Sequence, residues 1–572
     1  MHTEPKGFLG KYVFSFDHKV IGIQYLITAM FMGLVGGTLA LMIRTQLQHP
    51  DMVIFSKAII TPESYLSFVT MHGTIMVFFL VSMAISGFAN FLIPLQIGAR
   101  DMAYPFLNML SFWTVVPSCL LMLGSFFVPT GAAASGWTMY PPLSAVPEAV
   151  PGSGFGTTMW LLGMALFIAS FTMGGLNFLV TIINCRAPGM TMWRLPIAVW
   201  GFLVATILGL LAFPPLTSAA IMLLFDRHGG TSFFVTDMVI NDQVLALGDG
   251  TPLLFQHLFW FLGHPEVYVL VIPPLLMTME IIPVFTRRPM FGYRQSVWAL
   301  FIISFLSMIV WGHHMFVTGM NPYVGKYFSI ATVIITAPFA VLGINLLASL
   351  WRAKLKMTVP MLFALSVISA VGFGGFGGLF LGTMVSDIFF HETYFVVGHF
   401  HLMIGVVTML GIFAGWYFWF PKISGRMMSE RLGRWHFWLT AVPMISLFII
   451  MHLQGMGGMV RRTFDPATYD YNSGANQMLR FPITFLAFVV FFAQVIFFYN
   501  IIISLRRGEK AGKNPWHSAT LEWTTPSPAP HGNFGESLPR VGCGPYEYSQ
   551  GDDEEGYLPQ AEGPQAGETD DA

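Results

Sequence analysis

Twelve stretches of this chain are long and apolar enough to cross a lipid bilayer, which leaves few folds open to it. A hydrocarbon core about 30 Å thick takes roughly 20 residues of helix. Such runs occur at 20–43, 66–95, 105–128, 156–184, 196–224, 252–284, 295–319, 326–350, 359–383, 390–420, 435–455 and 481–505. Lipid offers no partner to backbone N–H and C=O groups, so spans of this kind are helices. Only 10% of the residues are charged and 55% are hydrophobic, against about a quarter charged in soluble domains. The expected fold is an all-α membrane protein of twelve transmembrane helices. Residues 1–19 form an N-terminal segment, 20–507 the helical core, and 508–572, rich in Pro, Gly, Asp and Glu, read as a disordered acidic tail. No repeat relates the two halves, so an inverted-repeat transporter has no support.

Basic residues orient the bundle. With twelve spans both termini lie on one side, and that side holds all but seven of the 28 Lys and Arg residues. The seven are Arg44, Lys57, Arg227, Lys326, Arg461, Arg462 and Arg480. By the positive-inside rule both termini face inward. The start has no apolar run before a small-residue cleavage site, so no signal peptide is expected. The net charge of −1 gives no hint of nucleic acid or any other polyanionic partner, and none is expected. Three cysteines, Cys119, Cys185 and Cys543, exclude a disulfide framework, a CxxCH heme attachment and a dinuclear copper pair. Electrons passing through such centres would need another chain.

Six histidines on four of these spans share one depth, about a third of the way in from the outer surface: His72, His264, His313, His314, His399 and His401. A single histidine in a span is ordinarily a hydrogen-bonded core residue. Six at one level are not explained that way, because ionisable groups inside a membrane are costly, and imidazole suits iron and copper. At about 100° per residue, His399 and His401 project to opposite faces of one helix and serve different metals. His313 and His314 can straddle one ion with His264 as third ligand, a copper site with an open position. His72, His399 and His401 then remain for two hemes, one held on both faces and one on a single face. Tyr268 lies four residues after His264, on the same face and within side-chain reach. A phenol beside copper can supply the electron and proton that O–O cleavage requires.

The segments WFLGHPEVY (260–268), WGHHMF (311–316), HETYFVVGHFH (391–401), MHGTIMVFF (71–79) and GARDMAYPFLN (98–108) resemble subunit I of the heme–copper terminal oxidases, the cytochrome c oxidase family. The resemblance runs from about residue 13 to 515. It implies four-electron reduction of O2 to water, with electrons from cytochrome c, proton uptake and proton pumping. It implies His72 and His401 as axial ligands of a low-spin heme with Arg44 near its edge, and His399 as the axial ligand of a high-spin heme. His264, His313 and His314 match the copper B ligands, and Tyr268 matches a tyrosine cross-linked to His264. Arg461 and Arg462 match the pair that binds heme propionates, which would explain two arginines on the outer face. His391 and Glu392 fall at an outer magnesium site where the family usually has His-Asp. Asp101, Asn90, Asn108, Asn177 and Glu266 follow the family's aspartate-initiated proton pathway. Heme A, a subunit II with dinuclear copper, subunit III and a bacterial inner membrane complete the expectation.

Two departures matter. The lysine that opens the family's second proton pathway is replaced by Leu342, and the usual serine by Met279, although Thr332 is kept. Either the Asp101 route carries the additional protons, or water bridges a chain past Thr332, Thr336 and Asn345. The polar residues with which quinol-oxidising relatives hold a headgroup are replaced by Val35, Leu39, Ser64 and Ser67, which favours cytochrome c as donor over quinol. Nitric oxide reductases lack the tyrosine of HPEVY, and a transporter has no need of six histidines at one depth.

Overall fold

The computed structural model describes residues 7–50, 52–54, 57–58, 60–147, 149, 154–535, 537–548 and 556–561. Eleven of its helices are long and apolar enough to cross a membrane. They are α1 (His18–Gln48), α2 (Pro62–Ile97), α3 (Pro105–Phe127), α4 (Phe155–Asn184), α5 (Ile197–His228) and α6 (Pro252–Thr286), followed by α8 (Pro322–Leu350), α9 (Val359–Leu381), α10 (Tyr394–Ser424), α11 (Glu430–Met456) and α12 (Ala475–Arg507). The expected seventh span is shorter as a helix. Here α7 (Tyr293–Ser307) has 15 residues, and the chain continues through a 3₁₀ turn at Trp311–Met315. Two small antiparallel hairpins, β1–β2 (Val53–Ile54 with Lys57–Ala58) and β3–β4 (Thr236–Ile240 with Gln243–Asp249), are additions to the all-helical expectation.

Local chemistry sets many helix starts. Asp17, Thr61, Thr251, Asn321, Thr393 and Ser429 each accept a backbone N–H of the first turn, and proline follows the cap at Pro62, Pro252 and Pro322. This arrangement satisfies otherwise orphaned donors and presets φ. Lipid supplies no hydrophobic drive between spans, so close approach rests on small residues and van der Waals contact. At the α1–α2 crossing a Cβ on Gly22 would lie 2.8 Å from the carbonyl oxygen of Gly87. Two stretches are wound as π-helix, Ile75–Ser82 within α2 and His401–Val407 within α10. Such bulges recur at functional sites. Both lie at or just after a histidine singled out above.

The tail differs from its expectation. Residues 508–535, 537–548 and 556–561 run across the end of the bundle that carries Asp101, with Leu521, Trp523, Tyr546 and Tyr548 all at most 6% exposed. Trp516 Nε1 donates to Phe418 O at 2.8 Å and Gln560 Nε2 to Arg194 O at 2.9 Å. Averaged composition conceals these few large apolar side chains, and they are what anchor the segment. The remaining tail positions, 536, 549–555 and 562–572, lie outside the described residues.

Candidate heme–copper site

Three imidazoles converge between α6 and the 3₁₀ turn after α7. Ligand nitrogens of His264, His313 and His314 all lie within 4.8 Å of one another. His264 Nδ1 is 3.2 Å from His314 Nε2, and His313 Nε2 is 3.0 Å from the same atom. In a 3₁₀ turn adjacent residues project about 120° apart, which lets both histidines reach one point. The Nδ1 of His313 is held by Thr332 Oγ1 at 2.9 Å, and the ring of His314 stacks on Trp260 with centroids 3.9 Å apart. Trp260 was not among the sequence candidates, although it opens the quoted HPEVY segment. His264 Nε2 is buried with no hydrogen-bond partner among the described residues, and the Tyr268 ring is 4.7 Å from that imidazole. Three imidazole nitrogens within 4.8 Å of one another fit a metal that prefers imidazole.

The other three histidines are prepared differently. His72 Nδ1 contacts Gly36 O at 2.9 Å, His401 Nδ1 contacts Val397 O at 2.9 Å, and His399 Nδ1 contacts Gly374 O at 2.8 Å. An Nδ1–H donated to a carbonyl fixes the tautomer and leaves Nε2 as a free base. The His72 and His401 rings are 6.2 Å apart with planes 12° from parallel. Rings in direct contact, as in the Trp260–His314 pair, close to 3.9 Å. The wider gap takes two metal–nitrogen bonds of about 2 Å each. His399 faces α9 instead, where a Cβ at Gly378 would lie 3.0 Å from its Cε1. The residues present therefore fit one group held on both faces and one held on one.

Charged candidates gather at the end of the bundle that bears these rings. Arg461 clamps Glu392 with both nitrogens, Nε to Oε2 at 2.8 Å and Nη2 to Oε1 at 2.5 Å. Burial alone would raise the Glu392 carboxyl, but Arg461 and Arg462 bring it down to about 2. Burial and the charge of Arg461 lower Arg462 to about 10. Arg44 reaches Tyr394 Oη at 3.3 Å and Thr484 Oγ1 at 3.2 Å. His391 Nδ1 contacts Asp387 Oδ2 at 2.9 Å, while its Nε2 is 3.8 Å from Glu392. The Glu392–Arg461 pair and Asp387 were missed at the sequence level, where position 392 was weighed only as a ligand.

On the proton route, Asp101 accepts Met102 N–H at 2.7 Å, and burial pushes its carboxyl up to about 7. Asn177 is spent on the backbone of Tyr104, both accepting and donating. Both polar atoms of the Asn108 side chain, Asn90 Oδ1 and Glu266 Oε2 are buried without partners among the described residues. Ser82 donates to Glu266 Oε1 at 3.3 Å. A cavity of about 60 Å³, lined in part by Tyr25, Ser82, Ser86, Ser170 and Glu266, lies on this line. Its lining is mainly apolar, but it is large enough for water, which these polar groups could hold. Tyr25, Ser82 and Ser170 were not sequence candidates, because a serine or tyrosine in a span carries no pattern of its own. The second route has no such row. Leu342 and Met279 are each 2% exposed, Asn345 is bonded to Gly292 O and Ser296 Oγ, and Thr336 faces outward.

Comparison with known proteins bears on the family of the chain. A family profile described as "Cytochrome C and Quinol oxidase polypeptide I" matches residues 20–491. The chain is similar to the "Alternative cytochrome c oxidase subunit 1" of Bradyrhizobium diazoefficiens, 44% identical over 98% of this chain and 95% of that one. It is similar to the "Cytochrome c oxidase subunit 1" of Thermostichus vulcanus and that of Synechocystis, each 41% identical over 94% of this chain and 92% of theirs. A cryo-EM structure of a heme-copper terminal oxidase dimer shares the fold, with TM-score 0.72 and 19% identity over 86% of this chain and 85% of that one. By the profile match and by identity along nearly its whole length, this chain belongs to the family of heme–copper oxidase subunit I, the cytochrome c oxidase subunit 1 enzymes.

Proposed function

We propose that this chain is the oxygen-reducing subunit of a respiratory terminal oxidase, taking four electrons per O2 from cytochrome c through a partner subunit with dinuclear copper. The carrying observation is the convergence of His264, His313 and His314 nitrogens beside Tyr268. Two hemes, of type A, and a copper supply the redox chemistry when bound. His264, His313 and His314 hold the copper, His399 the high-spin heme, and His72 with His401 the low-spin heme. Arg462 and Arg44, with Arg461 shared with Glu392, neutralise the propionates. Tyr268 gives the reacting oxygen a proton, and Asp101, Asn90, Asn108 and Asn177 lead protons to Glu266, which holds one at mid-membrane. A magnesium ion at His391 and Glu392 would have to compete with Arg461 for both carboxylate oxygens. Coupled proton pumping, subunit III, twelve crossings with α7 as the seventh, termini on the inner side of a bacterial inner membrane and a catalytic core at 20–507 belong to the same reading. A quinol headgroup is poorly served: Leu39 is buried and Ser67 donates to Ala132 O at 3.0 Å.

A pyridine hemochrome spectrum with copper analysis, followed by oxygen-electrode turnover on each donor, tests this reading. The expected result is two hemes and one copper, and faster oxygen consumption with reduced cytochrome c than with quinol. Absence of copper would refute the site, and faster quinol turnover the donor.

A further inference from the structure

At the Asp101 end of the bundle, away from the heme–copper site, two buried carboxyl groups meet on one amide. Gln96 of α2 donates from Nε2 both to Glu280 Oε1 of α6 and, at 3.2 Å, to Glu522 Oε1 of the tail. Glu280 is 1% exposed, and Gln96 and Glu522 are fully buried. Glu280 also accepts Ala198 N–H at 3.1 Å, and the Tyr546 hydroxyl of the tail bonds to it. Glu522 Oε1 accepts from Trp419 Nε1 at 3.1 Å and Thr520 Oγ1 at 3.0 Å. Against this supply of donors, Glu522 Oε2 and Gln96 Oε1 are buried acceptors with no partner among the described residues.

Charge decides what completes the cluster. Lys422 of α10 interacts electrostatically with Glu522 and donates to Thr525 O at 2.8 Å. The other titratable groups facing the pair are the phenols Tyr293, Tyr546 and Tyr548, with Arg287 turned to the Tyr548 ring. Two carboxylates against one ammonium leave an uncompensated buried negative charge, which is costly, and two interacting carboxyls in such a place titrate as a unit. The only cluster of three or more His, Cys, Asp or Glu ligand atoms among the described residues is the histidine one, so a metal finds no third side chain of those types here. We propose that Glu280 and Glu522 share a single proton, and that this proton locks the tail across the end of the bundle. The tail then stays clamped while the proton is held and loosens when alkali removes it. Burial raises the Glu522 carboxyl in keeping with this. The same strap carries Asn533 and His531 onto Lys19 and Asp17, beside the Asp101 loop, so loosening it uncovers that entrance.

Infrared spectra of the purified holoenzyme at neutral pH, together with hydrogen exchange of 513–548 from about pH 6 to about pH 10, test the proposal. Wild type should show a protonated-carboxyl band for the pair and lose tail protection at the alkaline end. Glu280→Gln leaves one carboxylate opposite Lys422, so the band should vanish and protection should persist at high pH. Glu522→Gln provides a second reading of the band. A band that survives in both variants, or wild-type protection that is the same across the range, would overturn the shared proton.

Discussion

Each histidine of the site is told apart by what its second nitrogen does. His72, with Nδ1 on Gly36 O, faces His401 from the far side of a 6.2 Å gap. His72→Ala is expected to remove low-spin heme absorbance while copper content stays near wild type, since His264, His313 and His314 lie on other elements. Unchanged low-spin absorbance would refute the pairing. Tyr268 meets the three-histidine cluster at the His264 ring, so Tyr268→Phe should retain both hemes and lower turnover by a factor on the order of 10²–10⁴, the range for loss of a positioned proton donor. Oxygen-electrode rates near wild type would remove it from the chemistry. Asp101, pushed up to about 7 by burial, is neutral below that pH and ionised above it. Turnover limited by this entrance should fall as pH rises through about 7, and Asp101→Asn should abolish that inflection. The same variant should slow anaerobic reduction of the high-spin heme, because no polar row replaces Leu342. If stopped-flow spectra show that step unchanged in Asp101→Asn but slowed in Thr332→Val with full copper content, a water wire past Thr332 is real. The copper control is needed because Thr332 also orients His313.

At the level of elements, irregular winding falls beside several of the candidate ligand histidines, although α6, which carries His264, is α-helical throughout. The π-turns of α2 and α10 and the 3₁₀ turn after α7 shift side-chain phase away from 100° per residue, and those shifts aim Ser82 at Glu266 and both His313 and His314 at His264. Phase must then be held by packing. The tightest hold is at the α10–α11 crossing, where a Cβ on Gly455 would lie 1.8 Å from Phe395 N. Backbone cannot yield as a flexible side chain does, and overpacking of this kind costs about 1–3 kcal/mol. Gly455→Ala should therefore displace the start of α10 and disturb His399 and His401 together. The optical spectrum is the check: both heme signals should be altered, and a wild-type spectrum would show that the crossing has slack.

For the molecule as a whole, the tail is part of the fold. Leu521 and Trp523 are at most 1% exposed, and each fully buried side chain of this size contributes about 1.5–3 kcal/mol. A chain ending after Arg507 would expose Phe418, Trp419 and Gln96 and leave Glu280 buried without Glu522 or Tyr546. Thermal denaturation of that truncation, followed by heme absorbance, should occur several degrees lower than in the full chain. Equal midpoints would make the strap dispensable.

The helical membrane class, the approximate ends of most spans and the six histidines were legible in the residues, because apolar length and buried ionisable groups are local properties with strong physical consequences. Opposite directions for His399 and His401 followed from helical phase alone. Other features needed the folded chain. That α7 stops at Ser307, that Glu392 belongs to Arg461, that Asn345 turns away from any second route and that Glu522 reaches Gln96 all depend on partners far away in sequence. The acidic tail shows why composition fell short: a handful of large apolar side chains, spaced without period, decide its packing, and only the surface they meet gives them a place to bury.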